Sequence, residues 1–357
     1  MQSSTLEKVL IVQTAFIGDV ILATGLVESV KQKWPAAAID LVVIPKAANV
    51  LEHNPHLRRV VVFDKRRRNL SFYKLWRFAR KLRTEKYDLA LVPHRSLRSA
   101  LLVWLANIPR RVGFDRSPAL AGWLFHHRVV YRQKHEVERN LDLLRPFGGG
   151  ELRPPKIYWT IEDSKRLDEV LQAKTPALKP LIALAPGSVW YTKRWPQEYF
   201  QELAWHLLEK IDGAVVLIGG PEDVALCEKI RNAVGGHCFN VAGQLTLRQT
   251  AALLNRCEIL VSNDSAPTHL GVAAQCRVIT VFGSTVPAFG FAPFDPAGDR
   301  HAILEQPLPC RPCTDHGRRQ CPLGTLECLK SITPERILIK VNEMLAEKAH
   351  RFSTMVG

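Results

Sequence analysis

The segment of residues 258–283 constrains the fold of this chain most, because two short apolar runs enclose a polar cluster there. Apolar, β-branched runs such as 259–261 and 278–282 are typical of buried strands in a parallel sheet. Ser262 to Ser265 can cap a helix that begins near Ala266, which gives the order strand, helix, strand. The N-terminus of such a helix offers backbone N–H groups and a positive dipole end beside the first strand. We therefore predict that an anion binds at this cluster.

The same alternation of strands and helices runs through two halves of the chain. We predict strands at residues 9–13, 39–44, 89–93, 111–114, 181–185, 215–218, 238–241, 259–261 and 278–282. We predict helices at about 19–34, 71–83, 97–106 and 334–349, and others that begin near Pro196, Pro221, Thr246 and Ala266. A chain of 357 residues exceeds what one core usually organises. The expected fold class is α/β, with two Rossmann-like, doubly wound parallel-sheet domains and a proline-bracketed hinge at 154–180.

Composition excludes several classes of protein. Apolar residues make up 46% of the chain, which argues against disorder, and no apolar run reaches the roughly 18 residues that span a bilayer. The N-terminal segment lacks a basic region before its short apolar run, as a signal peptide would require. We therefore expect a cytoplasmic protein.

The net charge of +15 predicts anionic partners. Eleven Lys or Arg residues lie between Arg58 and Arg83, and within this stretch apolar residues recur at helical spacing: Phe72, Leu75, Trp76, Ala79 and Leu82. Two interpretations remain open, an ordinary amphipathic helix with a solvated basic face, or a surface for a membrane or an anionic acceptor. Nucleic acid is disfavoured as a partner, because no helix-turn-helix, zinc-finger, RRM or KH pattern accompanies the charge.

Neither half carries the GxGxxG or GxxxxGK[ST] phosphate motif, so any phosphate site must use other residues. In the first half, the strand at 9–13 runs into Gly18 and Asp19. Gly18 permits a tight turn, and Asp19 opens a helix. Asp19 is either an N-cap or a carboxylate that serves as a general base.

In the second half, hydroxyls and cations follow the strand at 181–185. Ser188 and Thr192 can donate to phosphate oxygens, and Lys193 or Arg194 can neutralise charge. The alternative is a polar loop that caps the next helix. One strand later, Glu222 either binds ribose hydroxyls or belongs to a helix start.

Taken together, IGDV, PGS with TKRWP, GGPED and SNDSAPTHLGVAA before ITVFG resemble motifs of the glycosyltransferase family 9 heptosyltransferases, in particular the heptosyltransferase II type. The resemblance covers nearly the whole chain in the right order. It implies a GT-B architecture, with two Rossmann-like domains facing a cleft. The expected division is an acceptor-binding domain at 1–170, an ADP-heptose-binding domain at 180–330, and a C-terminal helix and tail at 331–357.

The resemblance also implies roles for single residues. Asp19 matches the family's catalytic base, and Lys193 matches the lysine that binds the diphosphate and stabilises departing ADP. Ser188 and Thr192 are weaker donor-binding candidates. Glu222 matches the acid that holds the adenosine ribose. The remaining donor-binding candidates are Asp264 at the heptose hydroxyls, Ser265 and Ala266 at the diphosphate, and His269, for which a purely structural role is the alternative.

Four of the eight cysteines form the pattern Cys310-x2-Cys313-x7-Cys321-x6-Cys328. The first pair has metal-ligand spacing, so a structural zinc ion is one interpretation. The second pair is not CxxC, and free thiols or a disulfide are the alternatives. The resemblance implies that catalysis itself requires no metal or other cofactor.

The expected function is therefore inverting transfer of L-glycero-D-manno-heptose from ADP-heptose to a lipid-linked, anionic lipopolysaccharide core. The expected location is the inner face of the inner membrane, with peripheral contact to the bilayer. One alternative within the family is a different core position or another nucleotide sugar. An alternative of a different class is a non-catalytic binder of anionic polymers or membranes, whose binding would depend on salt without nucleotide specificity. An oxidoreductase would need the missing dinucleotide motif.

Overall fold

The computed structural model describes residues 6–64, 72–115, 121–172 and 180–356. The chain divides into two compact units, unit 1 (Met1–Tyr158) and unit 2 (Trp159–Gly357), where the sequence suggested a boundary at 170–180. The basic residues 65–68, the expected helix start at Ser71 and the hinge residue Pro176 lie outside the described residues.

Unit 1 is a six-stranded parallel sheet flanked by helices. Its strands are β1 (Lys8–Val12), β2 (Ala38–Val43), β3 (Leu57–Val62), β4 (Leu89–Val92), β5 (Arg110–Phe114) and β6 (His127–Val129). Its α-helices are α1 (Ile17–Lys33), α2 (Pro45–Ala48), α3 (Phe72–Arg83), α4 (Leu97–Leu105) and α5 (Glu136–Leu141), with 3-10 turns at Asn49–Leu51, Ala121–Leu124 and Asp142–Phe147. The strand order is β3-β2-β1-β4-β5-β6.

Unit 2 repeats this architecture. Its strands are β7 (Leu181–Ala185), β8 (Ala214–Leu217), β9 (Cys238–Asn240), β10 (Ile259–Asn263), β11 (Arg277–Phe282) and β12 (Ala302–Glu305). Its α-helices are α6 (Ile161–Gln172), α7 (Gln197–Lys210), α8 (Val224–Val234), α9 (Leu247–Arg256), α10 (Ala266–Ala273), α11 (Glu327–Lys330) and α12 (Pro334–Val356). Three 3-10 turns lie at Tyr191–Lys193, Pro221–Asp223 and Pro287–Phe289. The strands pair in parallel in the order β12-β11-β10-β7-β8-β9.

Each unit builds its own core from the apolar strands. All five residues of β7 are buried, as expected for a central strand covered by helices on both faces. In unit 2 the indole of Trp195 is 1% exposed and donates to the Ile332 carbonyl at 2.8 Å, which ties the loop before α7 to the start of α12. The terminal helix α12 packs on α7 and β11, and therefore belongs to unit 2.

The sequence did not predict β3, β6 or β12. In β3, Arg58 and Arg59 interrupt the apolar pattern, but both bind the fully buried carboxylate of Asp40 in β2, at 2.5 and 2.8 Å. Glu85 pairs with the same two arginines at 2.9 Å. Two of the eleven basic residues between Arg58 and Arg83 are thus structural rather than available to a partner.

Helix α6 occupies the region that the sequence presented as a hinge. It packs on α9, where Asp163 and Arg248 form an ion pair at 3.0 Å between side chains 4% and 11% exposed. Among the described residues, no helix is long and apolar enough to cross a membrane.

Candidate active site

The two sheets have the same strand order. In each sheet, the first three strands are added in one direction, and the next three are added in the opposite direction, starting beside the first strand. We call the boundary between these two sets of strands the reversal. The reversal lies between β1 and β4 in unit 1, and between β7 and β10 in unit 2. Ligands of open α/β sheets bind at such a reversal, outside the carboxyl ends of the strands. The predicted residues Asp19, Ser188 and Asp264 all follow strands that border these reversals.

Lys193 and Asp264, both predicted to bind a donor, form an ion pair beside the reversal in unit 2. Lys193 Nζ lies 2.6 Å from Asp264 Oδ2, and the side chains are 13% and 6% exposed. The hydroxyl of Thr285 donates to the same carboxylate oxygen at 2.6 Å. Removing two charges from water cancels most of their attraction, so a pair of this kind adds little net stability. Its position at a strand end favours a role in binding.

Asn263 holds the two strand ends of this site together. Its side chain is fully buried, accepts from the Trp195 backbone N–H at 2.9 Å and donates to the Pro186 carbonyl at 2.9 Å. The loop after β7, which carries Lys193, is thereby fixed to the end of β10. Asn263 was not predicted as a site residue, although a polar residue at the end of an apolar strand was the available signal.

Ser188 and Thr192 occupy different environments in this loop. Thr192 is 1% exposed, its hydroxyl lies 2.9 Å from that of Ser284, and it accepts from the Arg318 N–H at 2.8 Å. Ser188 is half-buried, and its carbonyl accepts from Arg194 Nε at 2.7 Å. The hydroxyl of Thr192 is therefore engaged inside the protein, whereas the side chain of Ser188 is partly accessible.

Helix α10 begins where the sequence predicted it. Ser265 is its N-cap in extended conformation, and Ala266 is its first residue. His269 lies one turn in and is 4% exposed. A Cβ at Gly271 would approach Leu260 Cδ2 to 2.8 Å, so glycine lets this helix lie close against the sheet. Asp264 directly precedes the N-cap, so the N-terminus of α10 begins beside it in the chain.

The acids after β8 have separate surroundings. Glu222 is exposed, as a residue that binds a ribose hydroxyl must be. The carboxylate of Asp223 accepts from the Gly220 N–H at 3.0 Å and fills the space where Gly187 and Gly219 lack a Cβ. Burial raises the pKa of Asp223, and the neighbouring charge of Glu222 raises it further. Asp223 thus packs the ends of β7 and β8 together, while Glu222 faces outward.

In unit 1, Asp19 lies in the first turn of α1. The helix begins at Ile17 rather than at Asp19, and its N-cap is Phe16. The half-buried carboxylate of Asp19 accepts from the Phe16 N–H at 3.2 Å through Oδ2. Asp19 therefore helps to close the start of the helix that follows β1.

A buried acid that the sequence analysis missed lies near Asp19. Glu136 accepts from Arg139 Nε at 2.7 Å, and both side chains are almost fully buried. The pKa of Glu136 is raised to about 7, because burial and the charge of Asp19 raise it by more than the charge of Arg139 lowers it. The guanidinium groups of Arg139 and Arg95 lie 4.6 and 4.0 Å from the ring of Tyr131. Unit 1 thus places two carboxylates and two cations in one region.

One histidine and two hydroxyl side chains form a hydrogen-bonded cluster at the strand reversal of unit 1. His94, which follows β4, has Nδ1 3.0 Å from the Thr14 hydroxyl and 3.1 Å from the Ser99 hydroxyl. The two hydroxyls are 3.3 Å apart. These contacts connect the ends of β1 and β4 in unit 1, as Asn263 does for β7 and β10. No pattern in the sequence singles out His94.

The four cysteines predicted as zinc candidates line one cavity of about 110 Å³ in unit 2. Their thiols are free, with Cys310 exposed and Cys328 buried. Burial raises the pKa of Cys321, but the backbone N–H groups of residues 323–326 outweigh it and lower that pKa overall. Arg311 holds this segment to the sheet through the carbonyls of Gly283 and Thr285, at 2.5 and 2.7 Å.

Comparison with known protein families and curated relatives identifies a family for this chain. The family model described as glycosyltransferase family 9 (heptosyltransferase) matches residues 75–324. The chain is similar to lipopolysaccharide heptosyltransferase 2 of Salmonella typhimurium, with 26% identity over 356 residues that cover 96% of this chain and 99% of the relative.

Solved structures show the same similarity in fold. A family 9 glycosyltransferase from Veillonella parvula has a TM-score of 0.84 and 23% identity, covering 97% of this chain and 99% of its own. ADP-heptose lps heptosyltransferase II of E. coli has a TM-score of 0.78 and 23% identity, covering 96% and 99%. These similarities and the two parallel sheets confirm the predicted GT-B fold class.

Proposed function

Because this chain belongs to glycosyltransferase family 9, we propose that it transfers L-glycero-D-manno-heptose from ADP-heptose to the inner core of lipopolysaccharide. Membership of the family makes the protein a glycosyltransferase. The observation that carries the choice of donor is the buried pair of Lys193 and Asp264, at the strand reversal of unit 2. In this pair, a cation that can bind a diphosphate lies beside a carboxylate that can accept hydrogen bonds from sugar hydroxyls.

The donor is proposed to bind along the strand ends of unit 2. Lys193 would neutralise the diphosphate, assisted by the N-terminus of α10 at Ser265 and Ala266. Asp264 would accept hydrogen bonds from the heptose hydroxyls. The exposed Glu222 would accept hydrogen bonds from the ribose hydroxyls. Ser188 is accessible enough to donate to a phosphate oxygen. Since Lys193 is paired with Asp264 before any donor binds, the cation is already in place when charge develops on departing ADP.

The chemical step is proposed to be a single inverting displacement that needs no metal ion. A hydroxyl oxygen of the acceptor forms a bond with the anomeric carbon of heptose, and the bond from that carbon to the β-phosphate oxygen breaks. Asp19 takes the hydroxyl proton, and the electron pair of the broken bond leaves with ADP beside Lys193. The proposed acceptor is a phosphorylated, acidic core, and the exposed cation Arg95 of unit 1, over the ring of Tyr131, has the charge that suits it.

A peripheral membrane position is proposed as well, on the cytoplasmic side where a lipid-linked acceptor is available. Helix α3 buries Leu75, Ala79 and Leu82, while Phe72 and Tyr73 are 66% and 61% exposed. Its other exposed side chains are mostly basic: Lys74, Arg77, Arg80, Lys81 and Arg83. A helix that shows aromatic and basic groups to solvent suits the interface of an anionic bilayer.

The test is an assay of ADP release with ADP-heptose and truncated core acceptors, with other nucleotide sugars as competing donors. The decisive variant is Asp19→Asn, which keeps an oxygen that can accept from the Phe16 N–H but cannot take a proton. We expect turnover to fall by about 100-fold or more, as for removal of a general base, with ADP affinity unchanged.

The control for this variant is Glu52→Gln, which changes a carboxylate of unit 1 that bonds Asn49 at the surface. This control should turn over normally. Near-normal turnover by Asp19→Asn would refute the assignment of the base. A clear preference for another nucleotide sugar would refute the donor.

A further inference from the structure

The cysteine segment, residues 310–328, collects four thiols at one point without joining them. Cys310, Cys313, Cys321 and Cys328 all line the cavity of about 110 Å³, together with Thr192 and Ser284. No disulfide links them. The remaining four cysteines of the chain are buried in the fold of unit 2, at Cys227, Cys238, Cys257 and Cys276. Only the clustered set therefore brings several sulfur ligands to one accessible space in the described part of the chain.

Two arginines lie beside the clustered thiols. Arg311 lines the cavity itself. Its side chain is 3% exposed and pairs with Glu305 at 2.8 Å. Arg318 Nε donates to the carbonyl of Cys313 at 3.1 Å. These two cations lie where they can offset part of the negative charge of bound thiolates.

We propose that these four cysteines bind one divalent metal ion of the zinc class as a tetrahedral thiolate site. Four thiolates are the ligand set that such soft, tetrahedral ions prefer in structural sites. Binding releases four protons, one from each thiol, and leaves a centre with a net charge of about −2. Arg311 and Arg318 offset that charge.

The cavity has to contract around the ion. A tetrahedral ion holds its sulfur ligands about 3.8 Å apart, given metal–sulfur bonds of about 2.3 Å. In the described part of the chain, Glu202, His206 and Glu335 are the group whose ligand atoms lie within 4.8 Å of one another, and no three of the four sulfurs do.

Contraction of the cavity would affect the proposed donor site, because the cysteine segment contacts two loops of that site. One loop follows β7 and carries Lys193, and the other follows β11 and carries Thr285. Arg318 exchanges hydrogen bonds with Thr192, the neighbour of Lys193, at 3.1 Å for the backbone pair. Arg311 binds the carbonyl of Thr285 at 2.7 Å, and the hydroxyl of Thr285 binds Asp264. Metal binding thus fixes the backbone behind Lys193 and Asp264. The ion is structural and takes no part in the transfer.

Metal content measured on the whole protein tests the proposal without donor or acceptor. The protein is purified under reducing conditions, exchanged with Zn2+, desalted and analysed by elemental mass spectrometry. We expect about one ion per chain, as for a four-cysteine site. Cobalt substitution should give the absorption bands of tetrahedral thiolate coordination. Cys310→Ser, at the exposed and least disruptive position, should lower retained zinc at least tenfold, and Cys313→Ser with Cys321→Ser should abolish it.

The matched control is Cys227→Ala, which removes a buried thiol far from this sequence segment and should keep the full metal content. Folding of each variant is checked by circular dichroism. Zinc-free, folded wild-type protein after exchange would overturn the proposal, and so would four thiols recovered as two disulfides. Equal loss of zinc in the control would overturn it as well. A failed transfer assay with zinc retained would count against the proposed function alone.

Discussion

At the scale of single residues, the pair of Lys193 and Asp264 illustrates how binding groups are kept in a folded protein. The two charges are 2.6 Å apart and almost removed from water. Breaking such a pair by losing one partner leaves an uncompensated buried charge, whereas replacing both partners with apolar groups is often nearly neutral. Stability and binding can therefore be separated by mutation at this site.

We predict that Lys193→Met lowers the free energy of unfolding by about 3 kcal/mol, because Asp264 then stays buried without its cation. The double variant Lys193→Met, Asp264→Leu should recover most of this loss. Neither variant should show the rise in melting temperature that ADP gives the wild type. The measurements are urea unfolding and thermal shift with ADP.

The comparison pair for this experiment is Lys340 with Glu343, 3.0 Å apart but 38% and 53% exposed. Lys340→Met should cost less than about 1 kcal/mol. Strong stabilisation of the double variant by ADP would show that the pair does not bind the donor.

The buried acid Glu136 gives a prediction about pH. Its pKa in the folded protein, about 7, exceeds its ordinary value near 4.5, chiefly because of burial. Between these two values the folded chain holds a proton that the unfolded chain has lost, so this residue stabilises the fold at low pH and loses that contribution as the pH rises. Glu136→Gln should remove the dependence.

The measurement is the free energy of unfolding from pH 4.5 to 7, wild type against Glu136→Gln. The difference should change with pH by at most about 1.4 kcal/mol per unit. Curves that remain parallel across this window would contradict the raised pKa of Glu136.

Residues that follow a recognisable strand could be selected as candidates from the sequence. Lys193 follows one such strand, Asp264 was selected through the family resemblance of the polar cluster after another, and the two side chains are in contact in the structure. Glu136 was not selected, because it lies in a short helix far along the chain and meets Asp19 only through the packing of α5 on α1. Contacts of this kind depend on tertiary structure, which local sequence patterns do not contain.

At the scale of elements, the strands that were predicted have apolar sequences that local patterns reveal, and the strands that were missed do not. The central strands β1, β4, β7 and β10 are apolar on both faces and were found. Of those missed, β3 carries two arginines and β6 begins with His127 and Arg128. Both lie at or next to a sheet edge, where side chains reach solvent or an acid on the neighbouring strand, so burial does not impose an apolar run.

Helix α3 carries the prediction at this scale. Arg77→Gln with Arg80→Gln should weaken binding to vesicles that contain anionic lipid by about 30-fold, since each basic residue near the surface contributes about 1 kcal/mol. Phe72→Ser with Tyr73→Ser should weaken it further at high salt, where charge attraction is screened. The measurement is co-sedimentation with vesicles of phosphatidylglycerol and phosphatidylethanolamine.

The control removes the same amount of charge from unit 2, by Lys210→Gln with Lys229→Gln on α7 and α8. These changes should alter vesicle binding by less than about threefold, because only long-range attraction is reduced. Equal losses in the two pairs would show that net charge, and not α3, is responsible.

At the scale of the whole molecule, two units with one strand order provide two equivalent binding positions. The units differ in what they place there. Unit 2 places a buried lysine–aspartate pair and a helix N-terminus, and unit 1 a carboxylate with arginines stacked on Tyr131. The sequence predicted the shared architecture from its alternating strands, but not the six-stranded extent of either sheet.

This division predicts where a nucleotide protects the backbone. Addition of ADP should slow hydrogen exchange mainly at residues 186–194, 219–223 and 263–269 of unit 2, because a ligand stabilises the elements that it binds. Residues 13–19 of unit 1 should change less. Hydrogen–deuterium exchange with mass spectrometry measures both sets, and stronger protection in unit 1 would reverse the proposed assignment of the donor.

The carboxylate of Asp223 occupies the space that Gly187 and Gly219 leave open, at the ends of two neighbouring strands. Any side chain at either glycine overlaps that carboxylate, and a smaller residue at 223 leaves a void in its place. The three positions are therefore epistatic. A lineage that replaces one of these residues has to replace the others at nearly the same time. In related proteins, the three positions should therefore change together rather than one at a time.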